Sequence, residues 1–493
     1  MVFSSHLFLF YFLPLALAGY YLLARASQRM RNLWLVLTGY LFYGWAEPRF
    51  LALMFATTTL DWLLSLVIAR DRWCFWKVGG PVRCLEPHTA NNPASATRKR
   101  ALLLSVLSNL TALGFFKYFN FGVETWNQLA AAFGASSAAL QTTMHVVLPL
   151  GISFYTFQAL SYIVDVYRGE AEAMENFVDF SCFVSMFPHL VAGPILKFSF
   201  LAEQLKSRTL TLDKFVRGGA FFLLGLSKKV LLANPCGQIA DAAFDGASRT
   251  AFEAWTGAVA YAMQIYFDFS GYSDMAIGLG LLFGFVFARN FNAPYAATSL
   301  TDFWRRWHIS LSAWLRDYLY IPLGGNRLGE GRACLNVFLT MLLGGLWHGA
   351  SWNFIVWGVL HGGVLAAERI GRRVFPAVTP PPVVARVFTL GVVLVGWVFF
   401  RAASLTEALE YLRAMSRVFP TNSLPEALGG LSQQSYLQAH FILSAAIVCF
   451  GRQTWEWTQT LTVPKVLGVL CLGGLAVVAL LTQDYNPFIY FIF

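Results

Sequence analysis

The sequence predicts an all-α, polytopic membrane protein of roughly 11–14 transmembrane helices, with further re-entrant or short buried helices. Composition is the first reason. Hydrophobic residues fill 57% of the 493 positions and charged residues 13%, against roughly 45 to 50% and about 25% in a soluble domain. The second is that apolar runs recur from end to end with no long polar stretch between them. That continuity predicts a single membrane domain over 1–493. The third is the gathering of basic residues into the short segments between runs.

A bilayer core is crossed by about 20 largely apolar residues. Runs near that length, or somewhat shorter, lie at 7–24, 32–46, 50–69, 101–116, 146–164, 218–234, 254–269, 334–347, 351–367, 384–400, 437–450 and 464–482. Apolar segments at 177–196, 275–288 and 308–323 fit re-entrant or partly buried helices, whose backbone must be satisfied by protein or a water-lined cavity. The first run ends in LALAG, but Met1 to Leu7 contain no Lys or Arg to make the positive start of a signal peptide, so a retained helix is expected. Arg25, Arg29 and Arg31 follow this run. Arg70, Arg72, Lys77, Arg83, Arg98, Lys99 and Arg100 follow the third. The positive-inside rule then places the amino terminus outside and both basic loops in the cytoplasm.

The formal charge of +10, from 36 basic and 26 acidic residues, is accounted for by such topology-setting loops and gives no argument for nucleic-acid binding. No repeat of 20 to 50 residues is evident, which excludes a solenoid. Soluble excursions are expected only at 70–100, 120–143 and 402–435. His88, in a turn-rich part of the first, reads as a solvated bystander. The seven cysteines show no C-x-x-C spacing. Cys182, Cys449 and Cys471 lie in apolar runs and read as buried thiols.

Chemistry concentrates between 264 and 361. QIYFDFSGYSDMAIG sets Asp268 and Asp274 in apolar surroundings, where pairing with Arg or backbone and a helix break around Gly271 are expected. In TDFWRRWHISLSAWLRDYLYIPLGGNR, a continuous helix would put Arg305, His308 and Ser312 on one face. Trp304, Trp307 and Trp314 suit an interface. Arg305, Arg306 and Arg316 fit phosphate or carboxylate ligands, or pairing with Asp302 and Asp317. The two adjacent glycines of PLGGNR lack the phosphate-loop frame and read as a tight turn. His348 ends the run LLGGLWHGASWN. On a continuous helix it would stand about 140° from His361, a constraint that a break at Gly349 to Ser351 removes. No H-E-x-x-H or other dense ligand spacing points to a metal.

WRRWHISLSAWLRDYLYIPLGGNR, LLGGLWHGASWNFIVWGVLHG and YFDFSGYSDMAIGLG together resemble the membrane-bound O-acyltransferase family. The opening MVFSS, GISFYTFQALSYIVDVYRG and FPHLVAGPI narrow the resemblance to the branch of alginate O-acetyltransferase membrane subunits and their bacterial relatives. The final DYNPFIYFIF is similar to endings common among those relatives and does not single out alginate.

The resemblance implies that His348 is catalytic and that His308 is the second characteristic polar position. His189, His361, Asp268 and Asp274 fall in matching segments as candidates. Acetyl transfer from a thioester to a hydroxyl needs a base whose pKa lies near neutrality, which suits His348; a covalent acyl-histidine is the other route. His308, Asn353 or a backbone N–H near Gly349 would stabilise the oxyanion.

The resemblance also implies cytoplasmic acetyl-CoA as donor substrate, with no bound cofactor. Arg305, Arg306, Lys228 and Lys229 are expected at its phosphates. A central polar tunnel narrowing near His348 would carry the acetyl group across a bacterial inner membrane to a periplasmic, SGNH-like acyltransferase partner. An exported polysaccharide is the acceptor, alginate first, with cellulose, another exopolysaccharide or a teichoic-acid-type polymer open. Two other classes fit part of the pattern. A secondary transporter would use the intramembrane carboxylates and glycine breaks, and a polysaccharide-export scaffold would need only the spans.

Overall fold

The computed structural model describes residues 2–23, 25–73, 95–135, 139–140, 144–191, 193–246, 250–378, 380–417, 435–487 and 489. His88, Lys77 and Arg83, the larger part of the 70–100 segment, half of the 402–435 segment and half of the aromatic carboxyl end lie outside them. The described residues are helices and connections, as an all-α membrane protein requires. Contacts divide the chain into two compact units. One comprises Leu7–Thr211 and Phe283–Phe285; the other comprises Val2–His6, Leu212–Leu282 and Val286–Phe493.

The first unit contains α1 (Leu13–Leu22), α2 (Gln28–Ala46), α3 (Leu51–Arg70), α4 (Ala96–Ala132), α5 (Ile152–Arg168), α6 (Phe177–Ser185), α7 (Phe187–Leu190) and α8 (Phe198–Lys206). Ser27 and Ser95 cap α2 and α4 by accepting from Met30 N–H and Arg98 N–H, satisfying donors that have no partner within the helix. Helices α3, α4 and α5 pack together, and α2 packs on α6. Polar groups stitch these contacts. Asp61 of α3, fully buried, accepts from Ser105 Oγ at 2.5 Å and Asn109 Nδ2 at 2.9 Å on α4. Arg208 donates to Tyr20 Oη, Phe283 O and Asn32 Oδ1.

Helix α4 is 37 residues long, about 55 Å at 1.5 Å per residue, well beyond a hydrocarbon core of about 30 Å. It absorbs positions 120–132 of an expected soluble excursion. Asn120 then holds the returning chain through a reciprocal pair of hydrogen bonds with Val146.

The second unit begins with α9 (Leu212–Ser227), a π-helical turn (Lys228–Ala233) and α10 (Asn234–Asp245). These run against α11 (Ala251–Leu282), whose buried positions extend right around the helix. A helix apolar on all sides belongs at the centre of a bundle. The break expected near Gly271 is absent, because α11 is continuous there. The glycine serves close packing instead. A Cβ on Gly271 would sit 2.7 Å from Gly225 O, and one on Gly225 would sit 2.4 Å from Gly271 O. Small residues at facing positions let two membrane helices approach this closely.

Then come α12 (Leu300–Arg306), α13 (Ile309–Leu315), α14 (Glu330–His348), α15 (Trp352–Val374), α16 (Pro382–Arg401), α17 (Leu405–Met415), α18 (Ser435–Phe450), α19 (Thr454–Trp457) and α20 (Val463–Thr482). Helix α17 occupies part of the expected 402–435 excursion; its Tyr411 is buried and donates to Ala254 O of α11 at 2.8 Å. Among the described residues, five helical segments are long and apolar enough to cross a bilayer unaided: Pro48–Arg70, Ala96–Ala132, Trp352–Val374, Pro382–Arg401 and Val463–Thr482. Cys182 is buried as expected. Cys449 and Cys471 are exposed on the protein surface, since an apolar residue of a membrane helix can face lipid as readily as core.

Candidate active site

Helix α14 ends at His348. Gly349 is extended (φ −160°, ψ 150°), and Ser351 precedes the new helix α15. This break alters the angular relation of two histidines 13 positions apart. Both now touch one indole: ring centroids lie 5.2 Å apart for His348 and Trp357, and 4.5 Å for Trp357 and His361. Trp347 and Phe400 complete an aromatic surround for His348, at 4.9 and 5.2 Å. His348 is 9% exposed and His361 1%.

A hydrogen bond fixes the His361 tautomer. Trp304 Nε1–H donates to His361 Nδ1 at 3.2 Å, and an indole nitrogen can only donate, so the neutral ring carries its proton on Nε2. Trp304 is held in place by the cap of its own helix. Glu368 of α15 accepts from the backbone N–H of Leu300 and Thr301 and from Thr301 Oγ1, anchoring α12 to α15. A carboxylate at a helix N-terminus meets unpaired donors and the positive end of the macrodipole.

Trp304 also lines a cavity of about 830 Å³ with Arg305, Ser312 and four further arginines: Arg316, Arg369, Arg372 and Arg373. Glu330 is the acidic member of this lining. Arg369 holds it through two contacts of 2.6 and 3.1 Å, and this pairing keeps the carboxyl below its ordinary range. Arg316 forks onto Asp317, and Arg372 donates to Thr301 Oγ1. Arg305 makes no hydrogen bond or salt bridge among the described residues.

His308 does not continue a helix from Arg305. It adopts φ 43°, ψ 55° between α12 and α13, which breaks the common face expected for Arg305, His308 and Ser312. A left-handed conformation is costly for a residue with a Cβ, and such strain concentrates at functional sites. The surrounding loop enforces it. Asn292 N–H donates to Arg306 O and Ile309 N–H to Asn290 O, both at 2.9 Å. Asn290 was not legible as a site residue, yet it orients the imidazole. Its Oδ1 accepts from Ser310 N–H and Ser310 Oγ at 3.2 and 2.9 Å, and it lies 3.2 Å from His308 Nδ1. An oxygen already accepting from a backbone amide makes Nδ1 the donor, leaving the proton-accepting lone pair on Nε2. Asn290 Nδ2 donates to Ser273 Oγ at 2.8 Å.

His308 and His348 are joined through touching rings. The path runs from His308 to Phe269, Trp307, Trp397 and Phe400, with centroid separations of 4.6, 6.4, 4.9 and 5.4 Å, and then to His348.

The other candidates occupy structural bonds. Asp268 pairs with Lys229 at 2.8 Å and accepts from Ile489 N–H; Asp274 pairs with Lys228 and accepts from Thr454 Oγ1, each at 2.7 Å. Lysines from the π-helical turn, not arginines, are therefore the partners. Lys229 is buried with its carboxylate, and neither lysine lines the arginine cavity. Arg306 is held by Asp302 at 2.9 Å. Asn353 donates through its amide to Ala402 O at 2.7 Å. In the first unit His189 is fully buried, with Nε2 2.7 Å from Phe183 O. The PLGGNR glycines form the expected turn, with φ 111° and 54°.

Comparison with known proteins identifies the family. Residues 169–406, which contain both histidine motifs and the cavity, match the model of the membrane-bound O-acyltransferase family. Over its whole length the chain is 45% identical to all of the probable alginate O-acetylase AlgI of Pseudomonas putida and 42% identical to all of that of Azotobacter vinelandii. It is 36% identical to the peptidoglycan O-acetyltransferase of Helicobacter pylori, covering 84% of this chain and 80% of that one. The chain therefore belongs to the membrane-bound O-acyltransferase family, as a multi-pass membrane enzyme that transfers acyl groups to oxygen.

Proposed function

We propose that this enzyme takes acetyl from cytoplasmic acetyl-CoA and passes it across a bacterial inner membrane for O-acetylation of an exported polysaccharide, alginate first. The observation that carries this reading is a continuous set of contacts from the arginine cavity through Trp304, His361 and Trp357 to His348. It supplies a polyanion site at one end and a proton-transfer group at the other. The cavity volume is typical of small-molecule sites, and five arginines against one glutamate suit the phosphates of coenzyme A. The phosphate role expected of Lys228 and Lys229 passes to these arginines, because both ammonium groups are held by Asp274 and Asp268. Arg372 and Arg373, in the last turn of α15, support a cytoplasmic opening of the cavity by the positive-inside rule.

In the reaction, an acceptor hydroxyl oxygen attacks the thioester carbon while His348 takes its proton. The tetrahedral intermediate collapses with cleavage of the C–S bond, and the departing thiolate recovers a proton. Aromatic walls around His348 exclude water, which limits hydrolysis and strengthens local electrostatics. His308, with its lone pair set on Nε2 by Asn290, is a second proton acceptor, connected to His348 through four aromatic side chains. A periplasmic SGNH-like acyltransferase completes delivery to the polymer. Alginate is preferred because the full-length relatives at 45% and 42% identity are named as alginate O-acetylases.

The test is His348→Ala, with membrane abundance and acetyl ester on the exported polymer measured together. Loss of ester at unchanged abundance is expected; normal ester content would overturn the assignment. Arg305→Ala should raise the KM for acetyl-CoA about tenfold, the value of one charge-assisted contact of roughly 1.5 kcal/mol. An unchanged KM would remove Arg305 from the donor site.

A further inference from the structure

The tautomer of His361 has a consequence on its other side. With Nδ1 accepting from Trp304, Nε2 must present an N–H, and that nitrogen is buried with no hydrogen-bond partner among the described residues. The same holds for Trp357 Nε1–H. Both residues are 1% exposed. The two donors also lie close together. A Cβ on Gly396 of α16 would lie 2.7 Å from His361 Nε2 and 3.5 Å from Trp357 Nε1, so both nitrogens stand against the same side-chain-free position of α16. One oxygen at about 2.9 Å from each nitrogen can bridge two donors separated by up to about 5.8 Å. Buried donors are ordinarily paired, and a pair left for a bound species is the form taken by an oxyanion hole.

We propose that Trp357 Nε1–H and His361 Nε2–H form a two-donor site for one substrate oxygen, the thioester carbonyl that becomes an oxyanion beside His348. The inference rests on the acetyl-transfer reading above. Attack on the carbonyl carbon moves the C=O π electrons onto this oxygen, the two N–H groups hold the charge, and its return expels the thiolate. No proton leaves either donor. Asn353 gives one of its two amide N–H groups to Ala402 O, whereas the ring N–H groups of Trp357 and His361 are both without a partner among the described residues. Trp357 contacts the rings of both His348 and His361, which places the two tasks on either side of a single residue.

The test uses the full-length chain in membranes with its export system, following CoA thiol release and membrane abundance. Trp357→Phe keeps an aromatic ring and deletes the donor; His361→Phe deletes the other donor together with the Nδ1 acceptor of Trp304 Nε1–H. Each should lower kcat about 100-fold while the KM for acetyl-CoA stays within about twofold. His361→Gln, which restores an N–H near the Nε2 position, should recover at least tenfold. The double variant should lose less than the product of the single losses, because both donors serve one oxygen. An unchanged kcat in Trp357→Phe, or a KM effect with kcat intact, overturns the proposal.

A second measurement separates this from the assignment of the base. In a His348→Ala background, isotope-edited infrared spectra of [1-13C]acetyl-CoA should show the bound carbonyl stretch lowered relative to free thioester and restored by Trp357→Phe. No lowering, or no response to Trp357→Phe, refutes the donor pair. Turnover by His348→Ala would instead refute the base and leave the infrared comparison standing.

Discussion

Replacing Asn290 with alanine tests whether the clamp on His308 matters for catalysis. Asn290 is 1% exposed, and its Oδ1 faces His308 Nδ1, Ser310 N–H and Ser310 Oγ, while Nδ2 donates to Ser273 Oγ. The serine hydroxyls can rotate toward other acceptors. The Ser310 amide cannot, and a buried donor left unpaired costs about 1–3 kcal/mol, while Ser310 Oγ at 3.5 Å is the other polar atom near the imidazole Nδ1–H. A water entering the vacated space lowers that cost. His308 is also held at φ 43°, a strain of about 1–3 kcal/mol. With the clamp gone the backbone relaxes and the imidazole moves. A displacement of about 1 Å at a reacting group can cost about 100-fold in rate.

Asn290→Ala should therefore lower kcat about 100-fold, with the acetyl-CoA KM within twofold and the protein still in the membrane. Thiol release and quantitative blotting of the same membranes are the assays. Asn290→Asp adds a distinct sign. Its carboxylate still accepts from Nδ1–H but favours the imidazolium, raising the pKa of His308 relative to the native protein. Where neutral His308 is required, activity is lost as pH falls through that raised value, so the acid limb of the pH–rate profile moves to higher pH. Ser273→Ala, which removes one outlying bond, should leave kcat within a few-fold. Native kcat at native abundance in Asn290→Ala would refute the reasoning.

Two further changes probe the packing beneath the site. Gly271→Ala pushes a methyl to within 2.7 Å of the Gly225 carbonyl oxygen, a backbone atom that cannot rotate away, whereas Gly219→Ala meets nothing within 4 Å. The first should cost about 1–3 kcal/mol or more, seen as a lower unfolding temperature in detergent, and the second should be neutral; equal temperatures would discard the close-packing account. Lys229→Met strands the buried Asp268 carboxylate, a loss of about 3–5 kcal/mol, and should deplete the protein from membranes. Combining it with Asp268→Asn should restore abundance, and a double variant no better than the single would show that the ion pair is not what its burial depends on.

The class of molecule and its chemistry were written in the linear chain. Low charge, recurring apolar runs and basic connections dictate a helical membrane protein, because a bilayer admits few other ways of satisfying a backbone. The histidine strings supplied the candidates for the site, and Gly349 to Ser351 marked a break between two helices.

Tertiary structure decided which side chains meet. Asp268 and Asp274 found lysines because a π-helical turn on a neighbouring helix presents Lys228 and Lys229 to them. Gly271 packs helices where sequence alone read a break, since a glycine carries no sign of what approaches it. Asn290 became the orienting partner of His308 through a loop 18 positions away. The arginines of the cavity come from α12, the turn after α13 and the far end of α15, and the two donors facing Gly396 depend on a tautomer set by Trp304. Each is a relation between distant positions, and hydropathy and spacing encode only relations along the chain.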